Sequence, residues 1–219
     1  MSLVRALIFD MDGLMFDTES VYSQVGERVL SKRGRHFTLD LKRKIMGLTL
    51  PEVWSYLKNF NNLKDNVDDL VKEARQTFVD LLTQDTLLRP LPGLVELLSA
   101  ASRVGLKLAV ATSSEKRWVD LLLSRYNLQN YFSTIITSEN INKGKPNPEI
   151  YLKAVAAVGY PAERCLVLED ALNGIKSAKA AGCLAVAVPN QYTKDQDFSL
   201  ANLVVDSLAD PQLWKLIFD

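Results

Sequence analysis

Short apolar runs alternate with longer amphipathic segments along most of the chain. A run from Val4 to Phe9, interrupted only at Arg5, has the composition of a buried parallel strand. Five further runs of this kind span residues 106–111, 134–137, 165–168, 184–188 and 203–205. Apolar residues at helical spacing fill the segments between them, as a parallel sheet requires. The pattern predicts an α/β fold with a doubly wound, Rossmann-like parallel sheet.

Residues 16–89 follow a different pattern, because their apolar side chains recur at helical spacing with few signs of strands. The predicted helices of this segment include Leu50 to Phe60 and Leu70 to Leu82. The alternation of helices and strands resumes after the segment ends. We therefore predict a core made of residues 1–15 and 90–219, with an all-helical cap inserted after the first strand.

Composition and charge exclude several classes of protein. The 219 residues are 47% hydrophobic, and Lys plus Arg equal Asp plus Glu at 26 each, without a basic run for nucleic acid. No apolar stretch is long enough for a membrane span, and the first run is too short for a signal peptide. Cys165 and Cys183 lack the spacing of a disulfide or metal site, which indicates core residues in a reducing compartment. We expect a cytoplasmic monomer that binds neither nucleic acid nor membrane.

Two carboxylates, Asp10 and Asp12, follow the first predicted strand, and Gly13 permits a sharp turn directly after them. Buried carboxylates at a strand end are costly unless a cation lies between them. Open α/β sheets bind their ligands at this edge. The segment therefore predicts a site for Mg²⁺ and phosphate. A strand followed by an ordinary Asp-Gly turn is the simpler alternative, which this motif alone would favour.

Two later segments carry residues suited to binding phosphate. Thr112, Ser113 and Ser114 follow a predicted strand at the start of a helix, where free backbone N–H groups favour an anion. The alternative is that one of the serines only caps the helix. Lys145, held against Pro146, is a candidate fixed cation, although loop lysines are usually solvated.

Glu169 and Asp170 follow another predicted strand, immediately before a predicted helix over residues 171–181. Acidic residues also suit the start of a helix, so capping is the alternative interpretation. Carboxylate oxygens are, however, the ligands that Mg²⁺ takes. Because this strand and the first one end at the same edge of a parallel sheet, we expect their carboxylates to meet there.

Taken in order, these motifs resemble the haloacid dehalogenase superfamily of phosphotransferases over essentially the whole chain. The β-phosphoglucomutase-like and pseudouridine-5′-phosphatase-like branches are the most similar. The residues that carry the resemblance are Asp10, Asp12, Thr112, Lys145, Glu169 and Asp170. The resemblance implies a Mg²⁺-dependent phosphatase whose helical insert closes as a cap over the catalytic face.

The resemblance also implies a role for each site residue. Asp10 would attack phosphorus and form an aspartyl phosphate, while Asp12 would protonate the leaving alcohol and later take a proton from water. Mg²⁺ would bind Asp10, Asp170 and the backbone carbonyl of Asp12. Glu169 would ligate the metal or orient its ligands. The groups that hold the other phosphate oxygens would be Thr112, Ser113 and Lys145.

Substrate identity is expected to depend on the cap, and the candidate cap residues are Tyr22, Gly47, Thr49 and Leu50. The β-phosphoglucomutase branch carries an arginine three residues after the glycine that matches Gly47, where this chain has Leu50. It also carries a histidine at the position of Tyr22. A leucine cannot grip the second phosphate of a sugar. We therefore predict hydrolysis of a small phosphorylated metabolite, either a sugar phosphate or a nucleotide monophosphate.

Three alternatives remain open on the sequence alone. A β-phosphoglucomutase would use the same chemistry and return the phosphate to the sugar. A 2-haloacid dehalogenase needs no metal, and would not need Asp12 or the pair Glu169 and Asp170. A phospho-aspartate receiver domain, which is not an enzyme, would also place acids, a hydroxyl and a lysine together, but it lacks a helical insert.

Overall fold

The computed structural model describes residues 3–45, 48, 50–84 and 88–219. Contacts between residues divide the chain into two compact units, one of Asp17–Arg89 and one of Met1–Phe16 with Pro90–Asp219. We call the first the helical unit and the second the core unit.

The helical unit contains four described helices: α1 Thr18–Ser31, α2 Leu39–Ile45, α3 Leu50–Asn61 and α4 Val67–Gln84. Helix α1 begins after Asp17, whose carboxylate accepts a hydrogen bond from the Ser20 N–H at 3.2 Å. The apolar faces of α1 and α4 pack together, and Tyr22 stacks on Phe78 with 4.8 Å between the ring centroids. The two helices predicted for this segment correspond to α3 and α4.

A lysine is buried inside the helical unit. Lys42 of α2 is only 4% exposed, and its Nζ donates to the Glu19 carbonyl oxygen at 2.6 Å and to Ser23 Oγ at 2.8 Å. The same Nζ lies 3.0 Å from Glu19 Oε2. Burial lowers the pKa of Lys42, although the charge of Glu19 opposes this effect. The lysine therefore joins α2 to α1 through both charged and neutral acceptors.

The core unit is built on a parallel sheet whose described strands are β1 Ala6–Phe9, β2 Lys107–Ala111, β3 Thr134–Ile136, β4 Cys165–Glu169, β5 Leu184–Ala187 and β6 Leu203–Val204. The strand order is β3-β2-β1-β4-β5-β6, so β1 lies between β2 and β4. Ala6 of β1 aligns with Lys107 on one side and Cys165 on the other. Every residue of β1 and β4 is buried, which explains why their sequences are apolar. The sheet confirms the predicted α/β fold.

The described helices of the core unit are α5 Leu94–Arg103, α6 Lys116–Arg125, α7 Glu149–Val158, α8 Leu172–Ala180 and α9 Pro211–Phe218. Helices α7 and α8 pack against the sheet, and their buried residues include Tyr151 and Ile175. Cys165 and Cys183 are free, buried thiols in the same cluster, as their spacing predicts. None of the helices in the described ranges is both long and apolar enough to cross a membrane.

Candidate active site

Polar side chains gather where the central strands of the core unit end. Asp10 follows β1, Thr112 follows β2, and Glu169 ends β4 with Asp170 directly after it. All four residues are buried. A buried polar group is costly unless it has a partner. The contacts among these residues therefore indicate what the site is built to hold.

Lys145 lies among the carboxylates at this edge. Its Nζ donates to Asp10 Oδ1 at 2.6 Å, to Glu169 Oε1, and to the Ala111 carbonyl oxygen at 3.2 Å. Burial opposes the positive charge, yet the carboxylates of Asp10 and Glu169 hold the pKa of Lys145 well above its usual range. Lys145 is thus a fixed ammonium group and not a solvated loop lysine.

The contact with Lys145 does not fully offset the burial of the Asp10 carboxylate. Burial raises the pKa of Asp10 to about 8 against the opposing charge of Lys145, and the carboxylates of Glu169 and Asp12 raise it further. A carboxylate can act as a nucleophile only when it is ionised. A cation bound next to Asp10 would lower its pKa and favour the ionised form.

Hydroxyl groups hold Asp12. Thr112 Oγ1 donates to Asp12 Oδ2 at 3.0 Å, and Ser114 Oγ donates to the same oxygen at 2.7 Å. The Ser114 N–H donates to Thr112 Oγ1 at 3.0 Å, which fixes the loop after β2. Ser113 is exposed. Glu115 is the N-cap residue of α6 and makes no side-chain cap, so the interpretation of Ser113 or Ser114 as the cap is wrong.

Two donors hold Glu169 by a single oxygen. The Tyr151 hydroxyl donates to Glu169 Oε1 at 2.5 Å, and Lys145 donates to the same atom. Gly174 of α8 leaves the space that the carboxylate occupies, because a Cβ at this position would overlap it. The N-cap residue of α8 is Ala171, whose N–H lies 3.4 Å from Glu169 Oε2. The main partners of Glu169 are therefore Lys145 and Tyr151, and capping is secondary.

Asp10, Glu169 and Asp170 form a carboxylate cluster that fits a divalent cation. Each offers one oxygen, and these oxygens all lie within 4.8 Å of one another. Lys145 contacts two of the three carboxylates, those of Asp10 and Glu169, so the carboxylates of the cluster outnumber the ammonium group among them. Mg²⁺ prefers such oxygen ligands. The side chain of Asp12 is outside the cluster, and its predicted contribution to the metal is its backbone carbonyl.

Two residues that contact the site were not among those predicted from the sequence. The Tyr151 hydroxyl is one, and the signal for it is that a tyrosine on the buried face of a helix needs a polar partner. The amide of Asn190 is the other, since its Nδ2 donates to Asp170 Oδ2 at 2.7 Å. The signal for Asn190 is its place after β5, which ends at the same edge of the sheet as β4.

The candidate cap residues belong to the helical unit. Tyr22 is 37% exposed and lies on α1, and Leu50 is the first residue of α3 and partly exposed. Gly47 and Thr49 lie outside the described residues. The roles predicted for these four residues stay predictions.

Comparison with known proteins gives consistent matches. A family model for haloacid dehalogenase-like hydrolases matches residues 7–188. The protein YhcW of Bacillus subtilis is 32% identical over 98% of this chain and 97% of its own length. A phosphorylated carbohydrates phosphatase of Thermotoga maritima is 34% identical over 82% of each protein. The crystal structure of CbbY from Rhodobacter sphaeroides in complex with phosphate is similar at a TM-score of 0.82 and 26% identity, covering 94% of this chain and 96% of CbbY.

These matches confirm the superfamily and the enzyme class predicted from the motifs, that of a phosphatase. They also exclude the receiver-domain alternative, because the family model that matches most of the chain is that of haloacid dehalogenase-like hydrolases. The chain belongs to the haloacid dehalogenase-like hydrolase family.

Proposed function

We propose that this protein is a Mg²⁺-dependent phosphatase that hydrolyses a small phosphorylated metabolite through an aspartyl phosphate on Asp10. The observation that carries the proposal is the contact of Asp10 with Lys145 at 2.6 Å within a cluster of three buried carboxylates. Phosphoryl transfer needs a positioned nucleophile and positive charge for the phosphoryl oxygens. At the edge of this sheet, Asp10 is the positioned nucleophile and Lys145 supplies part of the positive charge.

The residues that would hold Mg²⁺ are Asp10, Asp170 and the backbone carbonyl of Asp12, with Glu169 as a ligand or an orienting group. The excess of negative charge and the raised pKa of Asp10 both support a cation at this position. Bound Mg²⁺ would neutralise phosphoryl oxygens and favour the ionised form of Asp10.

In the first step, an Asp10 oxygen forms a bond to phosphorus and the bond from phosphorus to the leaving oxygen breaks. Lys145 keeps Asp10 Oδ1 in place, so the carboxylate does not have to be oriented during the reaction. The ammonium of Lys145 also offsets negative charge that develops on the phosphoryl group. The exposed Ser113 is the remaining candidate phosphate contact, because the hydroxyl of Thr112, the other predicted one, donates to Asp12.

Asp12 would transfer the protons. Two hydroxyls donate to Asp12 Oδ2, so this oxygen serves as an acceptor and the transferable proton belongs on Oδ1. Asp12 first gives that proton to the leaving alcohol. It then takes a proton from the water that attacks the aspartyl phosphate, which releases inorganic phosphate, restores the Asp10 carboxylate and returns Asp12 to its protonated form.

For the substrate, we propose a sugar phosphate or a nucleotide monophosphate. The similarity to a phosphatase named for phosphorylated carbohydrates supports the sugar phosphate. Leu50 offers no donor to a second phosphate, which favours hydrolysis over a mutase reaction. Replacement of Tyr22 should change the ranking of substrates if the helical unit selects among them.

The central experiment is a screen of phosphorylated metabolites with wild type and Asp10→Asn, read as release of inorganic phosphate. We expect Mg²⁺-dependent hydrolysis by the wild type and almost none by Asp10→Asn, because an amide cannot attack phosphorus. Unfolding curves of both proteins control for the fold. Substantial activity in Asp10→Asn, or undiminished activity of the wild type in a chelator, would contradict the mechanism.

A second assay separates phosphatase from mutase. The wild type is given β-glucose 1-phosphate, and both free phosphate and glucose 6-phosphate are measured. Hydrolysis should exceed interconversion. A mutase flux larger than the hydrolysis rate would instead identify a β-phosphoglucomutase.

A further inference from the structure

The loop after β5 sends one amide side chain into the candidate active site. Asn190 Nδ2 donates to Asp170 Oδ2 at 2.7 Å and to the Gly13 carbonyl oxygen at 3.2 Å. Asp170 lies directly after β4, and Gly13 lies in the turn after β1. A single side chain therefore connects three loops at the carboxyl edge of the sheet.

Other contacts fix which end of the amide faces Asp170. Asn190 Oδ1 accepts a hydrogen bond from the Tyr192 N–H at 2.9 Å. A flipped amide would place its oxygen against the Asp170 carboxylate and the Gly13 carbonyl, and its NH₂ group against the N–H of Tyr192. The Asn190 N–H also donates to Oγ1 of the buried Thr193 at 3.0 Å, so the backbone of the loop is held as well.

Gly13 is packed tightly against both partners of this contact. Its φ is 79°, in the left-handed region that favours glycine. A Cβ on Gly13 would lie 2.5 Å from Asp170 Oδ2 and 2.7 Å from Asn190 Nδ2. The amide, the carboxylate and the turn therefore fit together with no space for a further side-chain atom at this position.

We propose that Asn190 is a positioning residue for the metal site, an inference that rests on the proposed function. Its two N–H groups act on two of the three proposed ligand positions. One holds Oδ2 of Asp170, which sets the rotation of that carboxylate, and the other holds the turn that carries the Asp12 carbonyl. Outer partners of this kind orient metal ligands, and their loss typically lowers metal affinity by about 10- to 100-fold.

The test is calorimetric titration of the purified protein with Mg²⁺ alone, for wild type, Asn190→Ala and Asn190→Ser. The serine can still accept a hydrogen bond from the Tyr192 N–H, but it is too short to donate to Asp170. We expect both variants to bind Mg²⁺ about 10- to 100-fold more weakly than the wild type. The Mg²⁺ concentration for half-maximal activity should rise by the same factor, with a smaller change in kcat at saturating Mg²⁺.

Asn202→Ala is the matched control. Asn202 Oδ1 accepts from the Ala185 N–H at 3.0 Å, so this variant also removes an asparagine contact next to β5, but at the opposite end of the strand. It should retain wild-type Mg²⁺ affinity. Unfolding curves in chelator show whether each variant folds. If Asn190→Ala does not fold, Asn190→Ser alone tests the inference.

Wild-type Mg²⁺ affinity in Asn190→Ser would mean that Asn190 only shapes its loop, and would overturn the inference. An absence of Mg²⁺ binding by the wild type would overturn it as well. The proposed function fails separately: wild type that binds Mg²⁺ but hydrolyses no phosphate ester would refute the phosphatase and leave the role of Asn190 in metal binding intact.

Discussion

Each of the two units buries a lysine, and the two lysines differ in the charge around them. Lys42 of the helical unit contacts the carboxylate of Glu19, a carbonyl oxygen and a hydroxyl oxygen, and the charge of Asp17 also acts on it. Lys145 of the core unit contacts two carboxylates, Asp10 and Glu169, with Asp170 in the same cluster. Lys145 is outnumbered by the carboxylates around it.

The pKa values of the two lysines shift in opposite directions for this reason. Burial dominates at Lys42 and lowers its pKa, whereas the surrounding carboxylates outweigh burial at Lys145 and raise its pKa. A buried charge with matching partners serves the architecture of its unit. A cluster with more carboxylates than cations favours the binding of a positively charged ligand.

The largest expected effect separates the two lysines by activity. Lys145→Met should lower kcat by about 10²- to 10³-fold, the usual cost of removing one preorganised group that stabilises developing charge. Lys42→Met should leave kcat unchanged, because its partners Glu19 and Ser23 lie in the helical unit, whereas its stability should fall because Glu19 loses its ion-pair partner. The measurement is hydrolysis of p-nitrophenyl phosphate at saturating Mg²⁺. Equal losses of kcat in Lys145→Met and Lys42→Met would contradict the difference proposed between the two lysines.

A smaller effect is expected at Gly174, where a methyl group would overlap the Glu169 carboxylate. Gly174→Ala should lose about 1–3 kcal/mol of unfolding free energy through overpacking. Its kcat should fall as well, since Glu169 would move away from Lys145. Gly144→Ala is the control, because no heavy atom lies within 4 Å of a Cβ built there. Thermal melts and kcat are compared, and wild-type values of both for Gly174→Ala would contradict the tight fit.

The helical unit offers the counterpart of this experiment. A Cβ on Gly26 of α1 would lie 2.7 Å from the ring of Phe37. Overpacking of about 1–3 kcal/mol is offset by a gain of about 1 kcal/mol in helix propensity, so Gly26→Ala should lose up to about 2 kcal/mol of stability. Its kcat for p-nitrophenyl phosphate should match the wild type. If kcat of Gly26→Ala fell as much as that of Gly174→Ala, overpacking in the two units would affect catalysis equally.

The smallest effect is in the pH dependence of stability. The lowered pKa of Lys42 means that the unfolded chain holds its proton more firmly, so this lysine makes stability rise as pH increases from below its folded pKa towards about 10.4. The raised pKa of Lys145 has the opposite sign: its contribution is present below about 10.4 and is lost at higher pH. In urea unfolding in chelator from about pH 8 to 11, Lys42→Met should lose the rise in stability below about pH 10.4, and Lys145→Met should lose the fall in stability above it. Slopes that change in the same direction would contradict this assignment.

The sheet could be predicted from sequence because its central strands are buried on both faces. The run predicted at residues 165–168 corresponds to β4 Cys165–Glu169, and the run at 106–111 corresponds to β2 Lys107–Ala111. Strands that admit only apolar residues stand out from their surroundings without further information.

Most of the predicted site residues follow a strand, and Lys145, in the loop before α7, was predicted from its position directly before Pro146. Asp10, Glu169 and Asp170 meet because parallel strands end at one edge, and this follows from the strand pattern. The contact of Thr112 with Asp12 and the donors from Tyr151 and Asn190 depend on which way single side chains turn. No periodic pattern in the sequence encodes those directions.

The central position of β1 has a consequence for folding during synthesis. The strand that Asp10 follows is synthesised well before both its neighbours, in which Lys107 and Cys165 are the partners of Ala6. Long-range pairing of this kind is slow to form and leaves apolar surface open in the meantime. We expect a nascent chain stalled before β4 to keep its first strand open to chaperones and without a working nucleophile, however completely the helical unit has already folded.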